Sequence, residues 1–230
     1  MTVLQNFFSG GSPAALLFDL DGTLVDSVPD IATALVGTLR ELQLPEPTEE
    51  QSREWVGNGA KKLVQRGLAW ATDKTVEDID DEVLKTAHEI FLRQYRLSNG
   101  VNSRLYDGVL EALDHWHRQA IPMALVTNKP IQFVPKLLAD LNIADYFSVL
   151  LGGECVEQKK PNPMMLFAAC EQLGVKPEQC LMVGDSRNDI AAARAANMPV
   201  VAVDYGYNHG RPVAMENPDL LLGDLRELLD

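Results

Sequence analysis

Two hydrophobic periods alternate along the chain. Leu16 to Leu20, Met123 to Val126, Phe147 to Leu151, Leu181 to Val183 and Val200 to Val203 are short runs that are almost entirely apolar. Strands covered on both faces by helices read this way, because neither face meets water. Between these runs, apolar residues recur at helical spacing. Leu110, Leu113 and His117 share a face after Gly108, and Phe133, Leu137, Leu138 and Leu141 follow Pro130. Leu166, Cys170 and Leu173 follow Asn162-Pro163, and Ile190 to Ala196 is rich in alanine, the strongest helix former. Strands alternating with helices predict an α/β fold with an open, doubly wound, Rossmann-like parallel sheet.

One segment breaks the rhythm. From Val28 to Arg104 the pattern offers helices and no good strand. Ser27 is an expected helix cap with Pro29 in the first turn. Ile31, Leu35, Leu39 and Leu42 then repeat on one face until Leu44-Pro45-Glu46-Pro47 ends the helix. Thr48 is placed to cap a second helix, and Trp55-Val56-Gly57-Asn58-Gly59-Ala60 reads as a tight turn between helices. Val83 to Leu97 is a further helix, ended by Ser98-Asn99-Gly100. The expected organisation is a core domain, residues 1–27 and 105–230, with an all-helical domain, residues 28–104, inserted after the first strand.

Composition narrows the partners. Hydrophobic residues make up 46% of the chain, enough for an ordinary globular core, and the formal net charge is −13. That balance argues against nucleic acid as a partner and against adhesion to anionic membranes. The three cysteines are scattered and form neither a disulfide framework nor a zinc pattern. Met1 to Gly11 carries no basic leader, and no apolar run is long enough to span a bilayer, so a cytoplasmic protein is expected. Either a monomer or a homodimer is compatible with the sequence.

In open α/β sheets ligands bind beyond the carboxyl ends of the strands. Asp19, Asp21, Gly22 and Thr23 follow the first run. Thr127, Asn128 and Lys129 follow the second, and Lys159-Lys160-Pro161-Asn162-Pro163 lies beyond Gly152-Gly153. Gly184-Asp185 and Asp189 follow the Leu181 run. Each has a plainer reading: a turn for Asp-x-Asp-Gly, a helix cap for Thr127, a solvated surface lysine for Lys160, a favourable first-turn acid for Asp189. The coincidence at four strand ends outweighs those readings. Acids gathered at one point repel unless a cation sits among them, and oxygen donors without histidine or thiolate favour Mg²⁺. Mg²⁺ commonly shares its site with a substrate phosphate. Thr127, Lys160 and the backbone N–H groups of Leu20 to Thr23 are then the expected contacts of that phosphate.

These residues resemble the four motifs of the haloacid dehalogenase superfamily of phosphohydrolases: Asp19-x-Asp21-Gly22-Thr23, Thr127, Lys160 and Gly184-Asp185-x-x-x-Asp189. The helical insert is similar to that superfamily's C1-type cap. Trp55 to Ala60, Val126 to Pro130, Gly184 to Asp189 and Tyr205 to Gly210 resemble bacterial phosphoglycolate phosphatases; Asp107 stands where that group has proline.

The resemblance implies roles. Asp19 is the implied nucleophile and Asp21 the acid and base. Asp19, the carbonyl of Asp21 and Asp185 are the implied Mg²⁺ ligands, with Asp189 behind them. Gly22, Thr23, Thr127, Asn128 and Lys160 are the implied phosphate contacts. Gly57, Asn58, Gly59, Ala60 and Lys61 form the implied substrate loop of the cap, and 2-phosphoglycolate is the implied substrate. Another sugar or amino-sugar phosphate, a phosphomutase with this cap, and a non-catalytic binding protein on this fold remain alternatives. A binding protein is expected to have lost one of Asp19, Asp21, Lys160 or Asp185, and all four are present.

Overall fold

The computed structural model describes residues 7–8 and 11–229, so the reading of Met1 to Gly11 falls largely outside the described residues. Eight strands are formed: β1 (Ala15–Phe18), β2 (Val25–Asp26), β3 (Arg104–Leu105), β4 (Met123–Val126), β5 (Val149–Leu151), β6 (Cys180–Gly184), β7 (Val200–Val203) and β8 (Leu220–Leu222). The α-helices that lie wholly within the described residues are α1 (Val28–Glu41), α2 (Glu49–Trp55), α3 (Ala60–Ala71), α4 (Asp81–Ser98), α5 (Val109–Arg118), α6 (Val134–Asp140), α7 (Met164–Leu173) and α8 (Arg187–Ala195).

Six strands make one parallel sheet in the order β5-β4-β1-β6-β7-β8. The chain builds outward from β1 first on one side and then on the other, so the winding reverses at β1. That switch leaves a crevice at the carboxyl ends of β1, β4 and β6. Alternate residues of β1 serve opposite faces. Leu16 and Phe18 pack with Leu113 and Trp116 of α5 and with Leu137 of α6. Ala15 and Leu17 pack with Met165 and Ala169 of α7 and with Ala192 of α8. A strand buried on both faces has no polar position to show, which is why these runs read as continuous apolar blocks.

Several boundaries differ from the sequence reading. The ladder of β1 stops at Phe18, so Asp19 and Asp21 stand in the loop beyond the strand; Asp19 N–H still donates to the Val183 carbonyl at 3.0 Å. The buried stripe of α5 is Val109, Ala112, Leu113 and Trp116, while Leu110 is 45% exposed and His117 faces solvent. Trp116 sets that rotation by packing 5.5 Å from Phe18, ring centre to ring centre. β8 has no continuous apolar burial to mark it in the sequence, being an edge strand of three residues with Leu221 turned outward. The β2–β3 ribbon is too short for any periodicity to show.

The inserted helices have their own core. Leu35, Leu39, Leu63, Val64, Leu68 and Phe91 are buried together, with Phe133 and Tyr207 joining from the sheet side. Thr48 caps α2 as expected: Gln51 N–H donates to its hydroxyl at 3.2 Å, and the Gln51 side chain accepts from Thr48 N–H at 2.9 Å. Asp80 caps α4 earlier than the apolar pattern implied, accepting from the backbone of Glu82 and Val83. Among the described residues no helix is long and apolar enough to cross a membrane.

Asp30, buried in α1, fixes where the insert returns to the sheet. Its carboxylate accepts from the backbone N–H groups of Gly100 (3.0 Å), Asn102 (2.8 Å) and Ser103 (3.0 Å), and from the Ser103 hydroxyl at 2.6 Å. Removing the acceptor leaves the buried N–H and hydroxyl of Ser103 without a partner and frees the loop that Gly100 and Asn102 anchor. Asp30→Ala is expected to lower unfolding stability by about 3 to 5 kcal/mol. Urea denaturation checks this, and a loss under 1 kcal/mol, on the order of a surface change, contradicts it.

Candidate active site

Asp19 leaves the end of β1 between the ends of β4 and β6. Lys160, from the loop after β5, brings its ammonium 2.9 Å from Asp19 Oδ1 and 2.6 Å from Asp189 Oδ1. Asn128 holds that loop in place. Its side chain accepts from Lys160 N–H at 3.0 Å and donates to the Lys160 carbonyl at 2.9 Å. The same amide donates to the Gly57 carbonyl of the inserted domain at 3.0 Å. These partners use the amide expected to touch phosphate, so Asn128 joins two loops and the insert.

Asp185 is held on both oxygens. The Thr23 hydroxyl donates to Oδ1 at 2.9 Å and Tyr207 N–H donates to Oδ2 at 2.5 Å. Thr23, expected on the phosphate, therefore spends its hydroxyl orienting Asp185. Two glycines make room for this carboxylate. A Cβ on Gly22, where φ is +94°, would lie 2.2 Å from Asp185 Oδ2, and one on Gly206 would lie 2.4 Å from the same atom. Asp189 accepts from the Ser186 hydroxyl at 2.6 Å and from Ser186 N–H at 3.1 Å, which caps α8 and leaves its other oxygen to Lys160.

Oxygens of Asp19, Asp185 and Asp189 lie within 4.8 Å of one another, all buried. Burial pushes the Asp19 carboxyl up to about 6; the charges of Asp189 and Asp21 add to this, and Lys160 opposes it. Burial, then Asp189 and Asp19, push Asp185 well above the carboxylate range. Burial works against the charge of Lys160, but Asp189 and Asp19 outweigh it and keep the ammonium protonated. One ammonium among three carboxylates leaves an excess of negative charge. Asp185 has no cation partner of its own among the described residues. An all-oxygen donor set with uncompensated negative charge fits a hard divalent cation.

Asp21 faces a different neighbourhood. Its Oδ1 accepts from the Ser27 hydroxyl at 2.6 Å and from the Lys129 ammonium at 2.8 Å. Ser27 therefore does not cap α1 with its side chain, as expected from sequence, but fixes Asp21. Lys129 is buried, also hydrogen-bonds the Tyr95 hydroxyl, and lies 4.8 Å from the centre of the Tyr95 ring. Its position after a strand was visible in the sequence; its pairing with Asp21 was not.

A small cavity of about 40 Å³ opens beside Asp19 and Asp21 and is bounded by the insert. Thr127, Asn128 and Lys129 line its sheet side, and Ile31, Val56, Leu63, Phe91 and Tyr95 its helical side. Of the expected substrate loop, Gly57, Gly59 and Ala60 line it. Asn58 and Lys61 do not: the Asn58 side chain accepts from Arg66 at 2.8 Å and donates to Asn188 at 3.4 Å, and Lys61 faces solvent. Both lie on the side of the loop turned away from the cavity.

The haloacid dehalogenase-like hydrolase profile matches residues 16–203. The chain belongs to that family. A phosphoglycolate phosphatase of Pseudomonas savastanoi pv. phaseolicola is 45% identical over 229 residues, covering 100% of this chain and 83% of the relative. One of Photorhabdus laumondii is 42% identical, covering 94% and 90%. The crystal structure of a Haemophilus somnus protein, described as a predicted phosphoglycolate phosphatase, superposes with a TM-score of 0.88 at 37% identity, covering 94% of this chain and 96% of that one.

The crowding of carboxylates in this hydrolase has a measurable consequence. In Asp185→Asn an amide can offer oxygen to Tyr207 N–H and NH₂ to the Thr23 hydroxyl, so both contacts survive while one buried charge disappears. With EDTA present, the variant is expected to melt about 3 °C above the parent, in line with roughly 1 kcal/mol of relieved repulsion. Thermal denaturation with and without Mg²⁺ checks this; a variant that melts lower in EDTA contradicts the charge argument.

Proposed function

We propose that the protein is a phosphomonoester hydrolase for small phosphorylated acids, foremost 2-phosphoglycolate, which it converts to glycolate and phosphate. The observation that carries this reading is Asp19. It is a buried carboxylate 2.9 Å from the Lys160 ammonium, at the mouth of a cavity shared with Asp21. The names of the relatives support the choice of substrate.

Asp19 attacks phosphorus, forming an aspartyl-phosphate as the bond to the ester oxygen breaks. Asp21 delivers a proton to the departing alkoxide and then takes one from the water that cleaves the acyl phosphate. Ser27 and Lys129 hold Asp21 in place for both transfers. Lys160 and Thr127 meet the phosphoryl oxygens, and Lys160 offsets their charge. Asp19, the Asp21 carbonyl and Asp185 would hold Mg²⁺, with Asp189 behind them, and the ion would supply positive charge that lets a carboxylate approach a phosphate.

The helices between Val28 and Arg104 act as the cap that closes over this chemistry and excludes water from it. Their lining favours a small leaving group. Ile31, Val56, Leu63 and Phe91 offer no hydrogen bonds to sugar hydroxyls, which would be buried unpaired. That weighs against a sugar phosphatase or a sugar phosphomutase.

Asp19→Asn is expected to lower kcat by more than about 1,000-fold while the protein stays folded by circular dichroism. Near-parental turnover refutes the nucleophile. EDTA is expected to stop hydrolysis and excess Mg²⁺ to restore it; activity indifferent to chelation removes the cation from the scheme. Initial rates over a panel of small phosphomonoesters test the substrate, with 2-phosphoglycolate expected to lead.

A further inference from the structure

Lys61, the lysine of the implied substrate loop, lies outside the cavity. Among the residues that line the cavity, Lys129 is the one that carries a positive charge. Other nearby cations have partners of their own: Lys160 with Asp19 and Asp189, Lys159, which lies beside Gly59 but does not line the cavity, with Glu154 at 3.7 Å, Lys62 with Gln65, and Arg66 with the Trp55 carbonyl and Asn58. A carboxylate on the leaving group of a dianionic phosphate ester needs a partner inside the cavity; the N–H groups at the start of α3, beside Gly59 and Ala60, offer partial positive charge, and Lys129 offers a full one. An unpaired buried charge is costly.

We infer that Lys129 is the specificity-determining residue of this site, its ammonium binding the carboxylate of the leaving group while Asp21 serves the ester oxygen. The inference rests on the phosphatase reading above. Two observations beyond charge support it. An ammonium has three donors, and those of Lys129 meet two acceptors among the described residues, Asp21 and Tyr95, so one remains for a ligand. Lys129 also stands one hydrogen bond from Asp21, at 2.8 Å. In a 2-phosphorylated acid, two bonds separate the ester oxygen from the carboxyl carbon. A substrate whose ester oxygen meets Asp21 therefore carries its carboxylate toward Lys129. Tyr95 and Asp21 hold the ammonium in position before the substrate arrives, so little side-chain freedom is lost on binding.

The test compares 2-phosphoglycolate with 2-phosphoglycolamide, which has nearly the same shape and no charge at that end. The parent enzyme is expected to prefer the acid by at least about 30-fold in kcat/KM, and Lys129→Met to reduce that preference to within about threefold. A parent with no preference overturns the inference, and so does a folded Lys129→Met variant that keeps the preference. If Lys129→Met does not fold, Tyr95→Phe removes one anchor of the ammonium and keeps the lysine. Its preference for the acid is expected to fall by at least about threefold through KM, and an unchanged ratio overturns the inference. An enzyme that hydrolyses aryl phosphates but neither of these two esters overturns the substrate reading, and the role of Lys129 falls with it.

Discussion

The structure turns on the gathering of like charges at the end of β1. Asp19, Asp185 and Asp189 come from two distant parts of the chain and place oxygens within 4.8 Å of each other, with a single buried ammonium between two of them. Water would screen such a cluster, and burial withdraws the water. Much of the surrounding architecture can be read as a response. β1 lies where the winding reverses, so three strand ends open onto one crevice. Glycines flank Asp185 because a single added methyl group would collide with its carboxylate. Thr23, Tyr207 and Ser186 spend their donors fixing the acids in place. These contacts act on the carboxylates, so the cluster stays poised for a cation rather than collapsing onto its own side chains.

A second charge pair sits a short distance away and is built on a different principle. Lys129 and Asp21 neutralise each other one to one, assisted by Ser27 and Tyr95. The first cluster carries an excess of negative charge, whereas the second is a balanced pair; on the proposed reading Asp21 serves the ester oxygen and Lys129 the group attached to it.

The sheet and the residues at its edge were legible in the sequence because each depends on local pattern. A strand buried on both faces is a block of apolar residues, and motif residues follow such blocks at fixed offsets. What the sequence concealed depends on distant pairing. Asp30 lies in the first turn of α1, where an acid is common, and its partners lie about seventy residues on. Ser27 read as a helix cap because its local context is that of a cap, and only the fold turns its hydroxyl to Asp21. Lys61 looked right for a substrate contact because it follows a glycine-rich turn; the rotation of α3 decides which side of that turn meets the cavity. α5 was misjudged for a related reason, since two overlapping apolar stripes were available and the bulk of Trp116 selected one.

The carbonyl of Gly57 accepts from Asn128 at 3.0 Å and from Asn188 at 3.2 Å, both uncharged amides. Were the helical insert to lift from the sheet, each of these groups could exchange its partner for water, at a cost of about 1 kcal/mol per bond. The Asn128 amide that releases Gly57 keeps its hold on the Lys160 backbone, so the lysine need not shift as the lid moves. Such a movement would take Tyr95 away from Lys129: the Asp19–Lys160 pair would keep its alignment while the Asp21–Lys129 pair lost one anchor.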